Sequence, residues 1–459
     1  MSAEAWNTTQ EIQDLKDNID DLFLLVNAIF VSFMQAGFAC LEAGAVRNKN
    51  ATNILMKNLL DLFICGIFYY LIGYALAYGN GSPYLGLTTW AGIGLLESSL
   101  AFWFFQFVFA ATAATIISGA VAERCNFTAY IIYSATISGF VYPVVSHWTW
   151  HDEGWLKIKG YKDFAGSGVV HALAGVCSFV AASFMGPRIG RFSHGKTYDI
   201  PGHSLPMVGT GALLLISGFL AFNGGSLGHV TQPGDSMIIA RSMLSTIIGG
   251  SGAATVALIF GRCHLINESD WPFSFVLNAT LAGMVSVCGG PEAYSTWIAL
   301  VVGGIGCLCY QCIHKVVLLL KVDDPLDAVA VHFGAGCWGV IARPIFSKDG
   351  LIFGFTHDSS VQLLNNFVGL FAIISWSAIT SCILFGSLKL CGKLRVSEQE
   401  EIKGLDVSKH GEESYPKSAW WTNESPLNQN ENASGSYSVR LKEYDNHAFQ
   451  MERKNHHKS

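Results

Sequence analysis

Long apolar runs separated by short polar segments dominate the chain. A helix crossing a bilayer core needs roughly 20 apolar residues. Runs of that kind fall around 21–45, 54–79, 99–122, 128–148, 164–185, 206–225, 236–261, 273–290, 294–318, 326–346 and 360–390. The pattern predicts an all-α polytopic membrane protein with eleven transmembrane helices and its termini on opposite sides. Residues 1–20 are polar and precede a membrane domain spanning 21–390. Residues 391–416 are polar but patterned, and Arg395 to Pro416 reads as a segment able to dock. Residues 417–459, rich in Ser, Asn, Glu and Lys, are expected to be disordered.

The apolar pattern repeats. Asp163-Phe164-Ala165-Gly166-Ser167-Gly168-Val169-Val170-His171 is echoed by Asp324-Pro325-Leu326-Asp327-Ala328-Val329-Ala330-Val331-His332. Each aspartate lies eight residues before its histidine, and an Ala-Gly pair begins three residues after each histidine. A second echo pairs Gly37 to Gly44 with Gly218 to Gly225, so that Glu42 corresponds to Asn223. The halves, about 21–185 and 206–346, then hold five helices each. Five is odd, so the two halves have inverted topology, an arrangement in which a pathway runs at the repeat interface. The eleventh helix, about 360–390, is long and is expected to run obliquely along the bundle.

Charge orients this pattern. The loops after helices 1, 3, 5, 7 and 9 carry Arg47, Lys49, Arg124, Arg188, Arg191, Lys196, Arg262 and Lys321. The other side has Lys16, Lys157, Lys159, Lys162 and Lys348. The bias places the N-terminus outside and the C-terminus in the cytoplasm. The Asn7-Thr8-Thr9 sequon is then open to glycosylation, while those at Asn423 and Asn432 would be silent. The 459 residues are 51% hydrophobic and 14% charged, far below the quarter typical of soluble domains. A net charge of −6 without a basic stripe argues against nucleic-acid binding. The twelve cysteines lie mostly in apolar runs and read as small buried thiols. The first twenty residues, acidic and polar, do not read as a secretory signal peptide.

Ionisable residues inside membrane-length runs are costly and are functional candidates. His171 and His332 occupy matched repeat positions, which favours one shared site over two separate backbone-bonded histidines. Two neutral imidazoles side by side can share a proton. A metal site would want a third ligand at suitable spacing, and neither a His-Glu-x-x-His set nor a cofactor loop is present. Asp163 and Asp324 stand at helix starts, where capping is the larger part of their expected role. Asp327 fits the first turn equally well. Trp150 ends helix 4, where an interfacial aromatic belt and a cation–π contact are both open readings. Phe105 and Phe109 share a helix face, and Phe222 stands four residues before Ser226. Lipid-facing packing is the default for each phenylalanine, and a stacked pair is the sharper alternative.

The stretch Asp163 to His171, with Asp323-Asp324-Pro325-Leu326-Asp327 through His332, resembles signatures of the ammonium transporter (Amt/Mep/Rh) superfamily, on the Amt side. The resemblance covers about residues 20–415. It implies a homotrimer in the cell membrane with one pore per subunit. By position it implies an outer cation site from Trp150, Ser226 and Phe109, supported by Asp163. It implies a gate of Phe109 and Phe222, and a twin-histidine pore of His171 and His332. One departure lies in helix 6, where many relatives carry Trp and Gly but this chain has Phe219 and Ala221. Gly404-Leu405-Asp406-Val407-Ser408-Lys409-His410-Gly411 resembles the family's regulatory tail. Ser408 falls where some relatives carry a phosphorylatable threonine, which implies a kinase as partner; the segment is expected to dock on a neighbouring subunit, and phosphate at Ser408 to close the pore through its added charge. The resemblance implies net transport of ammonium or methylammonium, electrogenic by analogy, with no cofactor and no enzymatic step. An electroneutral NH3 channel and a sensor with little flux are the alternatives.

Overall fold

A computed structural model describes residues 3–265 and 270–416. The sequons at Asn423 and Asn432 and the segment 417–459 lie outside the described residues. Residues to Ser414 form one compact unit. Among the described residues, ten helices are long and apolar enough to cross a membrane, and a shorter apolar helix brings the set to eleven. They are α1 (Thr8–Ala45), α2 (Asn48–Tyr78), α3 (Glu97–Val121), α4 (Phe127–Ile158), α5 (Ser167–Met185), α6 (Leu205–Gly225), α7 (Asp235–Arg262), α8 (Phe273–Val287), α9 (Thr296–Leu319), α10 (Val329–Phe346) and α11 (His357–Leu390).

Two helices, the first and α8, depart from the sequence pattern in informative ways, and α11 is long as expected. The first helix begins at Ala3 rather than near residue 21, because its polar start contains good helix formers and no Gly or Pro. Helix α8 stops at Val287, since Cys288 and Gly289 turn away and accept hydrogen bonds from Ala165 N (2.9 Å) and Phe164 N (3.1 Å). Helix α11 has 34 residues, and at about 1.5 Å per residue it is far longer than a ~30 Å hydrocarbon core. Its outward faces are rich in exposed Leu, Phe and Ile, as a lipid-facing helix requires.

Small residues let the two halves meet. Helices α1 and α6, the first of each half, pack through Gly37 and Gly211. A Cβ on Gly211 would fall 2.6 Å from the Gly37 carbonyl oxygen and closer still to Leu41 N. Such close backbone approach is how membrane helices gain packing energy without a hydrophobic drive. The motif helices α5 and α10 both open in π-helical turns, Ser167–Ala172 and Val329–Gly334. π-turns are rare and concentrate at functional sites. Each turn holds its histidine, and each is capped alike. Asp163 Oδ2 accepts from Gly168 N at 2.7 Å, and Asp324 Oδ2 accepts from Val329 N at 2.7 Å. Asp327, in contrast, sits at φ +59° and does not cap. Its carboxylate instead meets His314 Nδ1 (2.7 Å) and Tyr310 Oη (2.8 Å) on α9.

The loops that carry the positive charge are knitted together. Arg47 and Arg188 both pair with Glu123, at 2.8 and 3.3 Å. Arg188 and Arg191 pair with Asp323, at 2.8 and 3.4 Å. Arg124 donates to the Asp323 and Gly186 carbonyls. Four loops are thereby joined at one end of the bundle. The segment after α11 packs onto them. It begins with Leu394 accepting from Asn126 N and continues in a short helix α12 (Glu398–Lys403) with a Ser397/Glu400 capping box. Glu401 takes Arg395 (2.7 Å) and Ile189 N (2.8 Å), while Asp406 accepts from Asn53 N (2.8 Å). The tail thus docks on the loops of its own chain.

Burial lifts the Asp323 carboxyl, but Arg188 and Arg124 outweigh it and hold it down at about 2, against 3.8 when free. A depressed carboxylate stabilises the fold above its unfolded pKa, and that support is lost as pH falls from about 4 toward 2. Asp323→Asn should remove about 2 kcal/mol at neutral pH and flatten the acid limb of a detergent-melting curve. Gly211→Ala should lower stability by about 1–3 kcal/mol, read as a lower melting temperature.

Candidate functional site

The two motif histidines come together. His171 Nδ1 and His332 Nδ1 are 3.2 Å apart, and their rings lie nearly parallel at 15°. One Nδ1 must carry the proton and donate it to the other. His171 is fully buried and His332 retains 8% exposure. Beyond His171, Cys288 Sγ lies 3.8 Å from Nε2, a weak contact. Phe219 lies flat against His171, with centroids 5.6 Å apart and planes 26° apart. The departure noted in helix 6 therefore places an aromatic face behind the first imidazole.

Phe222 stands beside Phe219, 5.9 Å away, and its centroid is also 5.6 Å from His171. It stacks on Phe109 at 3.9 Å and 14°. Both rings are buried. Above the stack opens a vestibule of about 260 Å³ lined by Phe105, Gln106, Phe109, Trp150 and Ser226, among others. Trp150 stands edge-on to Phe109 at 6.0 Å, and its Nε1 donates to the Asp163 carbonyl at 2.9 Å. Phe105 packs on Phe109 at 4.9 Å. Ser226 Oγ donates to the Phe222 carbonyl at 2.7 Å, which leaves its lone pairs available as acceptors.

Asp163 holds this arrangement from behind. Its carboxylate accepts from Gly166, Gly168 and Val169 N at 3.0, 2.7 and 3.0 Å. Burial pushes the carboxyl up to about 6, and these backbone donors keep it from rising further. Asp324 is pushed up to about 7 by burial and by the nearby Asp327.

Three lining residues escaped the sequence reading. Gln106 lies between Phe105 and Phe109 on α3, and its Oε1 is buried without a donor. Lys157 lines the vestibule too, its Nζ bound to Trp150 O (3.1 Å) and Asp152 Oδ1 (2.7 Å). Past His332, a narrow cavity of about 40 Å³ is lined by Phe219, Asn278, Leu281, Val331 and Glu42. Polar residues in an aromatic or apolar helix give no periodic signal of which face they occupy; only the Glu42–Asn223 echo pointed here. A further cavity of about 170 Å³ shares Leu41, Asn278 and Leu326 with it and reaches Asp327. The other candidates lie elsewhere. Ser408 is in the docked tail, its Oγ donating to Gly404 O at 2.6 Å. Asn7 is in the opening helical turns, with its side chain outside the described part. Among the described residues, no group of His, Cys, Asp and Glu has metal-binding geometry.

A family model described as Ammonium Transporter Family matches residues 22–415. The chain belongs to the ammonium transporter family. It is 36% identical over 435 residues to "Ammonium transporter 1 member 3" of Solanum lycopersicum, covering 88% of this chain and 94% of that one. It is 34% identical to "Ammonium transporter 3" of Dictyostelium discoideum, covering 90% and 98%. Among solved structures it is similar to a "Sensor Amt Protein", with a TM-score of 0.81, 32% identity and coverage of 87% and 100%. Candida albicans Mep2 shares the fold at a TM-score of 0.77 and 23% identity, covering 87% and 90%. The chain is a multi-pass membrane transporter by family and not an enzyme.

Asp163→Asn would turn an amide N–H₂ toward backbone donors. It should lower stability by about 1–3 kcal/mol and loosen Trp150, read as a lower melting temperature and altered tryptophan fluorescence.

Proposed function

We propose that the protein carries ammonium, and methylammonium, across the cell membrane through a path in each subunit of a homotrimer. The N-terminus faces outside and the tail faces the cytoplasm. The observation that carries this reading is the stacked Phe109–Phe222 pair lying between an aromatic vestibule and a buried imidazole pair.

The physics of the cation sets the steps. Ammonium is strongly hydrated, and an ion in the membrane interior is prohibitive without replacement of its shell. Trp150 offers a π face worth about 0.5–2 kcal/mol. Ser226 Oγ and the donorless Gln106 Oε1 offer acceptors for its N–H groups. Beyond the phenylalanines the walls are apolar, which favours neutral NH3. Deprotonation therefore falls near the stack, and NH3 moves past His171 and His332. The shared Nδ1 contact gives the released proton a route of its own, so that net transport is electrogenic.

The tail acts as a regulator. Ser408 lies in a turn bonded through Asp406 to Asn53 in the first turns of α2. Phosphate added by a kinase would repel the neighbouring Asp406 carboxylate and free the segment. Docking on a second subunit through its outer face is compatible with this.

Electrogenic transport favours the transporter reading over a sensor, which the likeness to a solved sensor Amt protein keeps in view. In voltage-clamped cells, ammonium should evoke an inward current. Trp150→Leu should raise the half-saturating concentration roughly tenfold, about 1.4 kcal/mol. His171→Ala should lower the current at least about tenfold. Ammonium binding without uptake would favour the sensor, and uptake without current the NH3 channel.

A further inference from the structure

Glu42 is a buried carboxyl within a membrane-spanning helix, 1% exposed. Such a group is costly to keep there and calls for a function. Two neighbours hold it. Ser118 Oγ donates to its Oε2 at 2.7 Å, and Asn58 Nδ2 donates to the same oxygen at 3.1 Å. Among the described residues, no donor reaches Oε1. The side chain lines the 40 Å³ cavity that His332 also lines. That volume has room for a few small molecules the size of water or ammonia. A second cavity, which shares Leu41, Asn278 and Leu326 with this one, is lined by Asp327.

The repeat gives a second, independent argument. Glu42 corresponds to Asn223 across the inverted halves. Asn223, beside the Phe222 gate, donates to Thr246 Oγ1 at 2.8 Å and cannot exchange a proton. The halves are therefore alike in their histidines but unlike here. The cytoplasmic side of the imidazole pair has an acid where the outer side has an amide.

We infer that Glu42 is the proton acceptor and donor on the cytoplasmic side of the histidine pair; this rests on the electrogenic transport proposed above. Outside, ammonium loses a proton to the imidazole pair and becomes NH3. The pair passes that proton to the Glu42 carboxylate, giving the carboxylic acid. NH3 arriving in the cavity takes the proton from Glu42 through formation of one N–H bond and loss of one O–H bond. Ammonium then leaves past Asn278 and the Asp327 carboxylate, and Glu42 is again ionised. One proton and one NH3 cross together, so charge and atoms balance. Ser118 and Asn58 position the carboxyl. The other titratable groups facing it are Lys57 and Asp61 on α2, Tyr130 on α4 and His332 on α10. Lys57 Nζ is committed to the Cys125 carbonyl at 3.0 Å, and Asp61 to Thr115.

The test measures labelled methylammonium uptake and current in the same voltage-clamped cells, at matched surface protein. Glu42→Gln keeps the shape and removes the exchangeable proton. The charge carried per methylammonium is expected to fall at least about tenfold, within the range for a lost acid–base group. Glu42→Asp should restore most of it. If Glu42→Gln does not reach the surface, Ser118→Ala serves, and the ratio should fall in the same direction. An unchanged ratio in Glu42→Gln, or in Ser118→Ala where that variant stands in, overturns the inference while leaving electrogenic transport intact. Uptake without current in the unsubstituted protein overturns both.

Discussion

A polar side chain in the middle of a membrane must find its partner inside the protein. The paired imidazoles meet that demand at a separation of 3.2 Å, and much of the molecule serves to keep them there. Each rides on a π-helical turn at the start of its helix. Each turn is pinned by an aspartate eight residues upstream. Gly175 on α5 and Gly336 on α10 let these helices approach closely enough for the two turns to meet, since a Cβ on either would clash with the facing turn, at Phe333 or at Ser167 and Ala172. Remove the pairing, and each histidine becomes an orphan whose burial nothing offsets.

The same economy governs the ends of the bundle. Arginines that orient the chain also tie its loops, through Glu123 and Asp323. The tail then lies on that platform through Asp406 and Glu401. It contacts the first turns of α2 and the loop between α5 and α6, the helices that carry His171 and Phe222. A change in the tail thus bears on those helices directly, with no long-range relay needed.

Much of this was legible in the residues, for identifiable reasons. Hydrophobic length locates helices because an unsatisfied backbone is intolerable in lipid. The Asp-to-His spacing marks a cap and a turn that recur in both halves. The phenylalanine pair was not legible from periodicity, since α3 is aromatic on every side; only the family resemblance singled out Phe109. Gln106 and Lys157 line the vestibule through local geometry that sequence spacing does not encode. By sequence Asp327 fits the first helical turn, yet its left-handed backbone turns the carboxylate to His314 and Tyr310 instead. The short α8 ends where distant backbone groups claim its last carbonyls, a tertiary effect that no local pattern carries.

The ring stack has one more implication. Two phenyl faces at van der Waals contact leave no thread of water from vestibule to histidines. If ammonium passes as proposed, the rings must part for each passage and close behind it, so a cell rich in this protein would keep its voltage and its acidity between passages.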